Sequence, residues 1–217
     1  MSHCLKRLCV TPGIAVAIAL ATAGTAAALD ITGTDGHDRI IGSRGDDTIV
    51  AKGGPDAVWS FAGNDSIDLG PGFDRAFAGK GDDHVLGGLG PDRINAGPGD
   101  DNVDAGPGFD RVRGRPGDDT VDGGDGFDIL HGGLGADTIN GGLGNDRITA
   151  RVRDGKSDTV NGDAGDDRIF VRDGTRDVVT CGAGFDRVRA DFADDVAADC
   201  ERVKRHTPRP SEVPTSE

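Results

Sequence analysis

Residues 132–149 read GGLGADTIN-GGLGNDRIT, two nine-residue units placed end to end. Both carry Gly at positions 1, 2 and 4, Asp at position 6 and Ile at position 8. Working outward, the same frame runs without a gap from Gly33 to Thr149, which is 117 residues or thirteen units. Position 4 is Gly in every unit, from Gly36 to Gly144. Position 6 is always Asp: Asp38, Asp47, Asp56, Asp65, Asp74, Asp83, Asp92, Asp101, Asp110, Asp119, Asp128, Asp137 and Asp146. Position 8 is aliphatic throughout, from Ile40 to Ile148, with Ala76 the smallest. The composition by itself favours disorder, with 37 Gly, 4% aromatic residues and 38 acidic against 24 basic side chains. Three fixed columns over thirteen units outweigh it.

Each unit reads as a turn followed by a short strand. Gly at position 4 opens backbone angles closed to other residues and lets backbones approach closely. Positions 7 to 9 are rich in Ile, Val and Thr, which suit a strand, with position 8 facing one way and its neighbours the other. One unit offers a single aliphatic side chain to a core, so units must stack to bury it. Two units then make an 18-residue coil with turns on alternating sides, and neighbouring coils lie about 4.8 Å apart. The fold class expected is all-β, a two-sheet parallel β-solenoid, or β-roll.

The columns resemble the RTX, or haemolysin-type, calcium-binding nonapeptide family, strongly over residues 33–149 and more loosely over 150–189. The resemblance implies several Ca²⁺ ions held between turns two units apart. It implies carboxylate from the position 6 Asp residues and backbone oxygens from the glycine turns, among them those of Gly88, Gly90, Gly97, Gly99, Gly106, Gly108, Gly124, Gly126, Gly133, Gly135, Gly142 and Gly144. The donor chemistry agrees: these are hard oxygen ligands, which Ca²⁺ accepts in flexible numbers, and no soft ligand column is present for zinc or copper. Alternate turns form two Asp ladders, one from Asp38 to Asp146 and one from Asp47 to Asp137. At most eleven gaps between turns follow from them. Turn capping by Asp, through backbone amides, is the competing explanation of the column. Ala51-Lys52 and Ser60-Phe61 replace the first two glycines of their units, so distorted or weak sites are expected there.

The ends read differently. Lys6 and Arg7, a largely apolar stretch from Leu8 to Leu20 and the small residues ending at Ala28 have the layout of a secretory signal peptide. Its removal takes two cations and moves the net charge from −14 to −16. No second apolar run follows, so no membrane span is expected after cleavage, and the product is expected to be extracellular. Cys181 and Cys200 would remain as a pair in an exported chain. A disulfide is the simplest reading, with two free thiols as the alternative. Beyond Thr149 the period loosens, with three extra residues in 150–161 and one in 171–180. The Arg-Asp-Gly stretches 153–155 and 172–174 are expected to be plain turns. Residues 190–203 are the candidate cap, and the Cys-Gly … Asp-Cys-Glu ending is similar to that of small secreted actinobacterial members of the family. Residues 204–217 have the composition of a disordered tail.

No catalytic constellation stands out. The acidic pairs Asp82-Asp83 and Asp118-Asp119 are explained by the repeat register, and the five His residues share no motif. The expectation is therefore a non-enzymatic, structural or adhesive module, with an accessory or degenerate remnant of a secreted RTX enzyme or toxin as the alternative. At position 7 one set of turns carries Arg39, Arg75, Arg93, Arg111 and Arg147, whereas the other carries Thr48, Ser66, His84, Asn102, Thr120 and Thr138. An outward Arg row is expected on one sheet, beside Trp59, Phe77 and Arg113. It either offsets neighbouring Asp charge or docks an anionic cell-wall polymer or extracellular protein. Nucleic acid is disfavoured by the net charge.

Overall fold

The computed structural model describes residues 7–9, 15–18 and 27–206. The remainder of the expected signal peptide, and residues 207–217 of the expected tail, lie outside the described residues. Among the described residues there is no helix. Short strands, from Arg7–Cys9 to Arg202–His206, alternate along the chain between two parallel sheets of eleven strands each. Arg93 pairs with Arg75 on one side and Arg111 on the other. Across the roll Asn102 pairs with His84 and Thr120. The 18-residue coil is therefore the repeating rung, and the β-roll expected from the periodicity is the fold.

Period-two alternation explains what is inside. Position 8 is buried in every regular unit, from Ile40 to Ile148. The same alternation extends past both ends of the strand. One step beyond, position 1 also points inward, and Ala51, Leu69, Ala78, Ala96 and Ala105 are all buried there. In these five units the core has two apolar side chains where the sequence reading counted one; in most of the others position 1 is glycine. Two residues before position 8, the position 6 Asp is turned inward by the same rule, and all thirteen are buried.

The extra residues of the loose region bulge out in turns and leave the pairing intact. Thr138 pairs with Thr159, which pairs with Val178. Residues of the expected cap, 190–203, add another coil to the roll. Asp195–Val196 pairs with Val178–Val179, and Arg202–His206 pairs with Arg187–Asp191. That last strand takes in Lys204 to His206, which the sequence reading assigned to the tail. A Cys181–Cys200 disulfide, with Cα atoms 5.2 Å apart, staples this coil to the one before it. Closing such a loop stabilises the fold by about 3 kcal/mol in the chain-entropy account.

Candidate metal centre

The two Asp ladders run up the two edges of the roll. Within each, one carboxylate oxygen caps the turn before it. Asp92 N–H donates to Asp110 Oδ1 at 2.7 Å, and Asp110 N–H donates to Asp128 Oδ1 at 2.8 Å. On the other edge Asp83 N–H donates to Asp101 Oδ1, and Asp101 N–H to Asp119 Oδ1, at 2.8 and 2.9 Å. The capping reading of the Asp column is correct for this oxygen. It does not account for the other. Oδ2 is buried without a hydrogen-bond partner in Asp56, Asp65, Asp74, Asp83, Asp92, Asp101, Asp110, Asp119, Asp128, Asp137 and Asp146. A buried carboxylate oxygen with no donor is costly, and a repeated row of them calls for a cation or a proton.

The electrostatics carry the same message. Burial pushes Asp92, Asp119, Asp128 and Asp146 up to about 7, from an ordinary 3.8, with the neighbouring carboxylates adding to the rise. Asp101 is pushed up to about 8, again chiefly by burial and then by Asp119, Asp83 and Asp82. The ladder thus stacks carboxyls that resist ionising in the absence of positive charge.

The glycine turns supply the second donor type. Gly126 and Gly144 stand at φ 144° and 141°, and a Cβ on either would sit on the carbonyl oxygen of the glycine one coil earlier, Gly108 or Gly126. Carbonyls of stacked turns therefore point into the gap between them. The same holds for Gly88, Gly90, Gly99 and Gly106, whose carbonyls face Gly106, Gly108, Gly117 and Gly124. Two position 2 carbonyls are also engaged by the protein: Gly124 and Gly142 accept the N–H groups of Leu143 and Ala164.

Not every expected ligand fits equally. Asp38 and Asp47, the first rungs, are closed by protein donors. Thr34 N–H donates to Asp38 Oδ2 at 2.5 Å, and Ser43 N–H to Asp47 Oδ2 at 2.6 Å. Their hydroxyls add further bonds to the same carboxylates. Position 2 of these two units is Thr34 or Ser43; the residue types are legible in the sequence, but the turning of their N–H groups toward the Asp is not. In the units where distorted or weak sites are expected, side chains replace glycine at position 2. Lys52 and Phe61 both hold φ 80°, as does Arg115 at 96°, so side chains occupy a left-handed position elsewhere taken by Gly. Asp56 and Asp65, in those turns, have the same orphaned Oδ2 as the rest.

The ladders also run further than the regular frame. Asp137 N–H donates to Asp158, Asp158 to Asp177 and Asp177 to Asp194. On the other edge Asp146 donates to Asp167, Asp167 to Asp186, and Asp186 to Glu201. Orphaned Oδ2 atoms recur at Asp167, Asp177 and Asp186. The units at 162–170 and 181–189 already displayed the pattern; the irregular spacing between them obscured that the stack is continuous.

Buried carboxylate oxygens and turn carbonyls, all hard donors without a thiolate or imidazole among them, define a parallel β-roll built to bind hard cations. The RTX calcium-binding nonapeptide repeat matches residues 30–58, 41–76, 59–94, 77–112, 113–148 and 154–176, and the chain belongs to that family. No curated protein matches the chain as a relative. The donor set fits Ca²⁺: the ladder Asp residues and the turn glycines would hold it, and the ion would supply the positive charge that the orphaned oxygens lack.

Proposed function

We propose that the protein is an exported structural or adhesive module whose roll folds on calcium. The row of eleven regular-repeat Oδ2 atoms without partners carries this reading. Their burial is tolerable only with charge compensation, and the aliphatic core has just one side chain per unit at position 8, with a second in five of the thirteen units. A site at ten times its dissociation constant contributes about 1.4 kcal/mol, so eight such sites give roughly 11 kcal/mol, comparable with the stability of a whole domain. Calcium titration followed by circular dichroism tests it. Strand signal should be small in chelator and rise with millimolar Ca²⁺ well above the response to equal Mg²⁺. A chain fully folded in excess chelator overturns the proposal. The leader-like N-terminus supports export, and the repeat register of the acidic pairs supports a non-catalytic role.

The Arg-bearing sheet favours an adhesive use. Arg75, Arg93 and Arg111 stand side by side on consecutive coils, and Phe77, Asn95, Arg113 and His131 form the parallel row two residues on. Between the rows lies a trough of about 430 Å³. Arg75, Arg93 and Arg113 are exposed, and no ion pair to another described residue is made by any of the three. Trp59 and Phe77 stack at 5.7 Å toward its N-terminal end. The partner chemistry this favours is an anionic wall polymer. The triple change Arg75→Ser, Arg93→Ser, Arg111→Ser should weaken co-sedimentation with cell-wall material and leave calcium binding intact. Changing Thr48, Asn102 and Thr120 on the opposite sheet should do little. Equal retention of both variants would leave the Arg row with charge compensation alone.

A further inference from the structure

The turn at 171–177 interrupts the nonapeptide frame, and its Arg-Asp-Gly stretch was expected to be a plain turn. Its glycine is indeed not needed for close stacking: a Cβ on Gly174 would meet nothing within 4 Å. Asp173, however, folds inward. Only 7% of its surface is exposed. Its Oδ1 accepts the N–H and hydroxyl of Thr175, at 2.8 and 2.5 Å, which fixes the side chain. Its Oδ2 is buried and has no partner. Asp177 beside it is fully buried; its Oδ1 accepts Asp158 N–H at 2.9 Å and its Oδ2 is likewise without a partner. Asp158 completes the group, buried to 3% exposure. One oxygen from each of the three lies within 4.8 Å of the others. A single shell of Ca–O contacts at about 2.3–2.6 Å spans up to about 5 Å, so one ion can touch all three.

We propose that Asp158, Asp173 and Asp177 form a separate calcium site in which a third carboxylate does the work that glycine-turn carbonyls do elsewhere. Asp158 and Asp177 are successive ladder rungs; Asp173 lies outside the frame and is supplied by the irregular turn. Each regular gap has two rung carboxylates facing it, and this one has three. Higher ligand charge raises calcium affinity and a solenoid can fold coil by coil, so this site fills, with the disulfide-stapled C-terminal coils forming around it, before the rest of the ladders do. The inference takes the identity of the ion from the calcium reading of the ladders, but its ligand set stands on its own geometry.

Equilibrium dialysis of the full chain against radioactive calcium tests it. Extracellular calcium modules bind at roughly 10⁻⁴ to 10⁻³ M, and the wild-type chain should take up one ion at about tenfold lower free calcium than its main phase. Asp173→Asn keeps an oxygen to accept from Thr175 and removes the charge. It should lose the early ion, keep the main phase and give the same circular dichroism at saturating calcium. Asp125→Asn, an exposed acid in a regular turn, should keep both phases. An early ion retained in Asp173→Asn, or no early ion in the wild type, overturns the site while a surviving main phase leaves the ladder reading intact. Absence of any calcium uptake overturns both. A terbium-soaked crystal of the wild-type chain provides a check independent of the variant: anomalous density should lie among the three carboxylates, and a soaked roll with density only in the regular turns rejects the proposal.

Discussion

Asp47 and Asp101 occupy the same column on the same edge of the roll, three coils apart, yet they are chemically different groups. Both oxygens of Asp47 are engaged: Leu29 N–H and the Ser43 hydroxyl bond Oδ1 at 2.8 and 2.9 Å, and Ser43 N–H bonds Oδ2. Asp101 has one bond, from Asp83 N–H, and a buried oxygen with none. The difference is made at position 2. Ser43 turns its N–H and hydroxyl to its own Asp, whereas Gly97, at the same place in the later unit, donates its N–H to Gly114 O. A motif column therefore does not define a ligand. The residue that could satisfy the Asp from within does, and the first coil closes itself with protein donors where the central coils bury a carboxylate oxygen without a hydrogen-bond donor.

The largest expected effect concerns protons, which can neutralise those buried carboxyls in calcium-free buffer. Burial holds Asp83 and Asp92 at about 7 and Asp101 at about 8 in the folded roll, against an ordinary 3.8. A raised folded value means that the folded state binds protons more tightly than the unfolded chain. The resulting stability is complete below about pH 4 and is lost as pH rises through about 7 to 8. In calcium-stripped buffer, strand signal should therefore be greater at pH 5 than at pH 8. Calcium, which competes with those protons, should matter most at the higher pH. Equal calcium dependence at both values would mean that the central carboxyls are already compensated and that Asp47 and Asp101 are alike.

A paired substitution separates the two rungs directly. Asp101→Asn keeps an oxygen for Asp83 N–H and removes the orphaned charge. With calcium present it should destabilise the roll by about 3 kcal/mol, because a central rung borders two gaps worth about 1.4 kcal/mol each. Without calcium it should stabilise any residual fold above about pH 4, since folding then no longer requires this carboxyl either to take up a proton or to be buried charged. Asp47→Asn disturbs hydrogen bonds instead and should cost about 1 kcal/mol with or without calcium. Denaturant midpoints measured in both conditions give the sign. If Asp101→Asn fails to change sign, the central rung is a capping residue like the first one.

How much of this was legible follows from where each effect resides. The 18-residue coil, the two ladders and the Arg row were readable because nine-residue spacing and strand alternation are properties of the chain itself. The inward face of position 1 was missed although the same alternation implies it; Ala51 stands among the departures from glycine when it is core. The closure of Asp38 and Asp47 depended on which way Thr34 and Ser43 turn their donors, which spacing does not reveal. Asp173 was hidden for a related reason: an insertion has no register, and only the folded turn brings it to Asp158 and Asp177.

The smallest expected effect lies in the turn just past the self-closed coil. Phe61 holds φ 80° with 53% of its surface exposed, beside Gly79 in the next strand. A non-glycine residue in the left-handed region costs about 1–2 kcal/mol, while glycine loses more chain entropy on folding, by roughly 0.5–1 kcal/mol. The two terms nearly offset, so Phe61→Gly should raise stability by less than about 1 kcal/mol, or at most about 4 °C in melting temperature. Phe61→Ala keeps the strain and should give no gain. Arg115 is a poorer probe, because its guanidinium Nε donates to Asn95 Oδ1 at 2.5 Å and that bond would go with it. Calcium uptake should be unchanged in Phe61→Gly, since Asp65 already has the same orphaned oxygen as the central rungs. An increase in ions bound would show instead that the side chain at 61 restrains the turn from closing on metal, and would move this coil from the central group to the first.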